Sequence, residues 1–102
     1  MTYERTRKPT HPGHILKELY LNELSIGISN FAEHIGVSRK TVSAIVNGHA
    51  RVTPELAVRF ALALPMTTAE MWLNLQRECD LFDAVQAVSP ASILPFALAI
   101  QA

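Results

Sequence analysis

The chain has 102 residues, a formal net charge of zero, and 49% hydrophobic against 18% charged side chains. That size and apolar share exclude a disordered chain and predict one domain with a modest core. The lone Cys79 excludes a disulfide framework within the chain and fits a reducing cytoplasm. The start, MTYERTRKPTHPG, is polar and basic and lacks the apolar core of a signal peptide. No apolar run reaches the ~18 residues of a membrane span. The expectation is a soluble cytoplasmic protein that does not engage a membrane.

The zero charge conceals a split. Residues 1–52 carry seven Lys or Arg against four acids, a surplus of three positive charges. Residues 53–102 carry two Arg against five acids, a surplus of three negative charges. Phosphate attraction depends on local basic surface rather than on the chain total. The halves are therefore expected to meet different partners.

In chain order, residues 1–10 read as a flexible basic arm. Pro12 suits a first helical position, and Ile15, Leu16, Leu19, Tyr20 and Leu24 form a helix-period stripe. Residues 29–48, SNFAEHIGVSRKTVSAIVNG, then predict two short helices joined by a tight turn. Ser29 is expected to cap the first, with Phe31 and Ile35 on its buried side. Ala32 is small where the helices cross, and Gly36 suits a left-handed helix end. Ser38 is expected to cap the second helix, with Val42, Ile45 and Val46 beneath it and Asn47-Gly48 as its stop.

A loop, His49–Val52, leads to Thr53-Pro54-Glu55, which joins a cap, a first-turn proline and an acid at the positive helix end. Leu56, Ala57, Phe60, Ala61 and Leu64 mark a fourth helix ending near Pro65. Thr67-Thr68-Ala69-Glu70 has capping-box spacing and opens a long fifth helix, 68–88. Trp72, Leu75, Cys79, Phe82 and Val85 are its candidate dimerisation residues, because four short helices cannot cover so much apolar surface. Cys79 within this pattern reads as a buried structural thiol. The uncharged tail 89–102 carries Ile93, Leu94, Phe96, Leu98 and Ile100. Its expected cover is its own domain, a dimer mate or another protein. The domain bounds are thus 1–10, 11–88 and 89–102, in an all-α, five-helix fold without strands.

The exposed side of residues 39–47 holds Arg39, Lys40, Thr41, Ser43, Ala44 and Asn47, and no acid lies between Glu33 and Glu55. Such a helix-turn-helix can place its second helix in the DNA major groove. Arg39 and Lys40 are candidates for guanine edges or nearby phosphate. Ser43 and Asn47 could touch base edges or backbone, and Thr41 and Ala44 could meet a thymine methyl. The amides of Ser29 and Asn30, the Ser38 end of the helix, His49 and Arg51 complete the candidate DNA face. A two-fold homodimer would set its two recognition helices one turn apart, ~34 Å, on a palindromic duplex.

Beyond the motif, HPGHILKELYL (11–21), GVSRKTVSAIVNGHARVTPELAVRFALAL (36–64) and the Met71–Gln76 run MWLNLQ together resemble the HigA (VapI-like) antitoxin family, whose fold is of the phage-repressor type. The resemblance covers residues 11–80. His14 departs from it, standing where the family often carries Glu, and the tail after Ser89 has no counterpart. The resemblance implies the antitoxin of a type II toxin–antitoxin pair, which represses its own operon and neutralises a RelE-like ribonuclease toxin of HigB type. A stand-alone transcriptional regulator is the alternative, and an interaction module that no longer binds DNA is a third reading. His11 and His14 lack an acid or cysteine to complete a metal site. Asp80 and Asp83 read as a solvated helix face. With no nucleophile–base pair or phosphate loop, the chain reads as neither an enzyme nor a cofactor protein.

Overall fold

In a computed structural model, residues 6–96 are described, and among them the protein is five helices without a strand. Helix α1 (Pro12–Ile15) continues without a break as a π-helical segment, Leu16–Leu21. The His11 ring caps it, Nδ1 accepting the Gly13 amide at 2.9 Å, and Pro12 occupies the first turn, where no amide donor is needed. The π segment changes which side chains face inward. Hydrogen bonds to the fifth residue back widen the turn, so side chains four and five apart come to share a face. Leu16 and Leu21 are accordingly buried, whereas Leu19 and Leu24, expected in the stripe, are 57% and 48% exposed.

Helix α2 (Ile28–Ile35) begins one residue before the expected cap. Gly27 is its N-cap, its carbonyl accepting the Phe31 amide, so Ser29 lies inside the first turn and caps nothing. Gly36 ends α2 at φ +79°, and the Val37 amide returns to the Ala32 carbonyl at 3.0 Å. Helix α3 (Arg39–Val46) starts with the Ser38 hydroxyl accepting the Thr41 amide. Its end repeats the device: Gly48 sits at φ +75°, and the His49 amide returns to the Ala44 carbonyl at 2.8 Å. Both helices thus stop through the same left-handed closure.

Helix α4 (Pro54–Ala63) is capped by Thr53, whose hydroxyl accepts the Leu56 amide. From α4, Arg59 reaches back to donate to the Ile35 carbonyl at 2.7 Å and pairs with Glu55, tying α4 to the end of α2. Helix α5 (Ala69–Ala87) is capped by Thr68, which accepts the Met71 amide. The capping box expected of Thr67 and Glu70 does not form. Thr67 is buried instead, accepting from Trp72 Nε1 at 2.9 Å and donating to the Leu64 carbonyl at 2.8 Å. A buried indole N–H needs such a partner.

The core gathers side chains from all five helices around one aromatic row. Trp72 meets Tyr20 and Phe60 edge to face at centroid distances of 5.7 and 5.4 Å, and Phe60 meets Phe31 at 5.7 Å. Val52, placed by sequence in a loop, is also buried. Beyond Cys79, α5 outruns the body it packs on, and the molecule extends 59 Å along its long axis against 21 Å across.

Candidate nucleic-acid interface

Every residue expected on the DNA face is at least partly accessible, and the fold brings them together around α3. Ser38, Arg39 and Lys40 lie exposed at its N-terminal end, Thr41, Ser43 and Ala44 are half-buried along it, and Asn47 closes it. Val42, Ile45 and Val46 anchor the opposite side. Ser29 and Asn30 are exposed at the start of α2, and His49 and Arg51 in the loop after α3. Thr41 is engaged locally, its hydroxyl 2.8 Å from that of Ser38, and Asn47 donates to Ser43 at 3.4 Å. Among the described residues Arg39 and Lys40 have no ion-pair partner, so both cations stand free.

Arg51 differs. Its guanidinium donates to Asp80 Oδ2 at 2.5 Å, while the Arg51 side chain remains largely in solvent. Asp80 is oriented by Gln76, whose Nε2 donates to Oδ1 at 3.0 Å, and Gln76 Oε1 accepts the Val52 amide at 2.7 Å. One carboxamide therefore ties the loop after α3 to α5. Asp80 and Asp83 keep the solvent exposure expected of them, and each also holds a basic partner, Asp83 pairing with Lys8 at 3.1 Å. Sequence reasoning missed the contacts of Gln76 and Asp80 with Val52 and Arg51 because these partners lie 24 and 29 residues away. The only local signal was a glutamine on the otherwise apolar side of α5.

The arm is also partly built into the fold. Pro9 is buried, and the Cys79 thiol donates to the Pro9 and Thr10 carbonyls at 3.4 and 3.5 Å. Residues 8–10 thus lie on α5 rather than swinging free, and residues 1–5 fall outside the described residues. His11 stands beside this contact with its pKa below the ordinary 6.5, first because burial disfavours the charged ring and then because Lys8 is near. No group of three His, Cys, Asp or Glu side chains capable of holding a metal occurs among the described residues.

The residues expected to meet a dimer mate divide. Trp72 and Cys79 are buried in the protomer's own core, so neither can reach a mate without unpacking it. Leu75 and Phe82 are half-buried and Val85 is exposed. On the free half of α5, Leu81 and Val88 join Val85 as exposed apolar side chains. The described part of the tail, residues 89–96, follows through a 3-10 turn, Pro90–Ser92, and its Leu94 and Phe96 are 82% and 88% exposed. Leu98 and Ile100 lie outside the described residues.

Two glycine-closed helices, a second helix with a free basic end and a loop tied to the fifth helix define a helix-turn-helix protein of the phage-repressor type. This is a DNA-binding class and not an enzyme family. The helix-turn-helix family matches residues 17–71. A Haemophilus influenzae protein named uncharacterized HTH-type transcriptional regulator is 50% identical over 78 residues, 76% of this chain and 72% of that one. Antitoxin HigA-1 of Vibrio cholerae is 40% identical over 77 residues, 76% and 71% of the two chains. The solved structure of Pseudomonas aeruginosa antitoxin HigA with the higBA promoter superposes with a TM-score of 0.81 at 33% identity, covering 87% of this chain and 99% of that one. The chain belongs to the helix-turn-helix family, in the group that includes the HigA antitoxins. No described helix is long and apolar enough to cross a membrane.

Proposed function

We propose that this chain is a cytoplasmic antitoxin that binds the promoter of its own operon as a homodimer and neutralises a ribonuclease toxin of HigB type. The observation that carries the DNA half is the exposed, acid-free face of α3 with Arg39 and Lys40 unpaired at its start among the described residues. Those cations can reach guanine edges or phosphates while Ser43 and Asn47 read further along the groove. Ser29, Asn30, His49 and Arg51 flank the helix, where phosphates run beside a major groove. Likeness to a HigA antitoxin solved with promoter DNA supports the DNA-binding reading. For the second end, the free half of α5 with Leu81, Val85 and Val88 offers apolar surface to a mate, and the tail continues it.

A stand-alone regulator is the second reading, favoured by the regulator names of the Haemophilus and Escherichia coli relatives. Co-expression with the product of a short basic reading frame, if one lies directly upstream of this gene, separates the two. An antitoxin rescues growth from that product and co-purifies with it. Failure of both removes the toxin half and leaves the regulator.

A further inference from the structure

We infer that Asp80, held by Gln76, is a positioning residue that aims Arg51 at the DNA backbone. The inference rests on the DNA-binding reading above and deepens it. The loop after α3 is pinned at two points. Its start returns to the Ala44 carbonyl through the His49 and Ala50 amides, and its end is held by the Val52 amide on Gln76 and the buried Val52 side chain. Arg51 lies between these pins.

Gln76 is only 4% exposed, and its orientation is dictated by its neighbours. The Val52 amide is a donor and must meet the carboxamide oxygen, which leaves Nε2 facing Asp80 as a donor. Asp80 can then offer only acceptors, one oxygen to Gln76 and the other to Arg51. A guanidinium has five N–H donors in a planar fork, so this single contact restrains where it points and leaves donors for a phosphate. A side chain already ordered loses less rotamer freedom on binding.

Asp80→Asn separates this role from bulk electrostatics because the two predict opposite signs. Asparagine keeps an oxygen for Gln76, but turns its own NH2 toward Arg51, donor against donor. Simple charge counting says that deleting a carboxylate near DNA strengthens binding. Positioning says that it weakens binding.

The test selects duplexes from a randomised 30-base-pair pool with the full-length protein, then measures affinity of the enriched duplex across a salt series. We expect Asp80→Asn to bind about five- to tenfold more weakly with an unchanged melting temperature. In the Arg51→Ala background the same change should weaken binding no further, because Asp80 acts through Arg51. Equal or tighter binding by Asp80→Asn, or a loss that persists without Arg51, overturns the positioning role while the DNA reading stands. A wild-type chain that enriches no sequence and binds no duplex overturns the DNA reading and this inference with it.

Discussion

Gly13 of α1 rests directly on the Ile45 carbonyl of α3. A β-carbon built on Gly13 would stand 1.7 Å from that oxygen and 2.5 Å from its carbon. No rotamer adjustment relieves a clash between backbone and backbone. The His-Pro-Gly opening therefore has three separate jobs: His11 caps, Pro12 starts the helix, and Gly13 lets α1 touch the underside of α3. Gly13→Ala should destabilise the protein by about 1–3 kcal/mol, as overpacking does in closed cores. At about 4–8 °C per kcal/mol for a domain near this size, a thermal melt resolves it. An unchanged melting temperature would mean that α1 can lift from α3 freely.

Acid should loosen the same helix start. His11 accepts the Gly13 amide through Nδ1, which requires an unprotonated nitrogen, and its folded-state pKa lies below 6.5. The unfolded chain then binds the proton more readily than the folded one, so stability rises with pH across that interval. The expected result is full stability above pH 6.5 and a decline as pH falls below it. His11→Asn keeps a capping oxygen and removes the titration. Urea melts from pH 7.5 to 5.5 should show a shallower loss for the variant, and parallel curves would assign the acid sensitivity to other groups.

Thr67 links Trp72 to the end of α4 by one hydroxyl that both donates and accepts. Thr67→Val preserves the shape but strands a buried indole N–H and removes one of the two hydrogen bonds that the Leu64 carbonyl accepts. The expected cost is about 1–3 kcal/mol by denaturant melts. Thr67→Ser, which keeps the hydroxyl, should recover most of it. Equal losses for both variants would place the effect in the methyl group rather than in the hydrogen bonds.

On the proposed reading of α3, Arg39→Ala should weaken binding to the selected duplex by about 1–3 kcal/mol and relax preference at one base position. A uniform loss across sequences would make Arg39 a phosphate contact. Unchanged binding would remove α3 as the reading helix. Circular dichroism should be unaltered, since Arg39 is exposed and makes no internal pair among the described residues.

The proposed dimer is tested on the part of α5 that leaves the body. Val85→Asp introduces a charge among Leu81, Val85 and Val88 without touching the protomer core. Sedimentation should shift from dimer to monomer, and affinity for a palindromic duplex should fall more than affinity for a half-site. An unchanged dimer would move the interface to the apolar side of α4, where Val58 and Leu62 are exposed beside Met66 of the following turn.

The chain by itself determined the local features. Ser38 and Thr53 cap helices, Pro12 and Pro54 occupy first turns, and Gly36 and Gly48 take left-handed ends. Each depends on residues within a turn of one another, so spacing alone reveals it. The polar side of α3 was legible for the same reason, because a 3.6-residue period separates its buried and exposed faces. Where the period changed, the reading slipped: the π segment turned Leu19 outward and Leu21 inward. Tertiary structure decided the rest through contacts between distant residues. It drew Trp72 and Cys79 into the protomer, took Thr67 from a cap to an indole partner, laid residues 8–10 on α5, and joined Val52, Gln76, Asp80 and Arg51 into one line. Periodicity identifies the buried side of a helix, but only packing determines which distant segment covers it and which polar groups must then be satisfied.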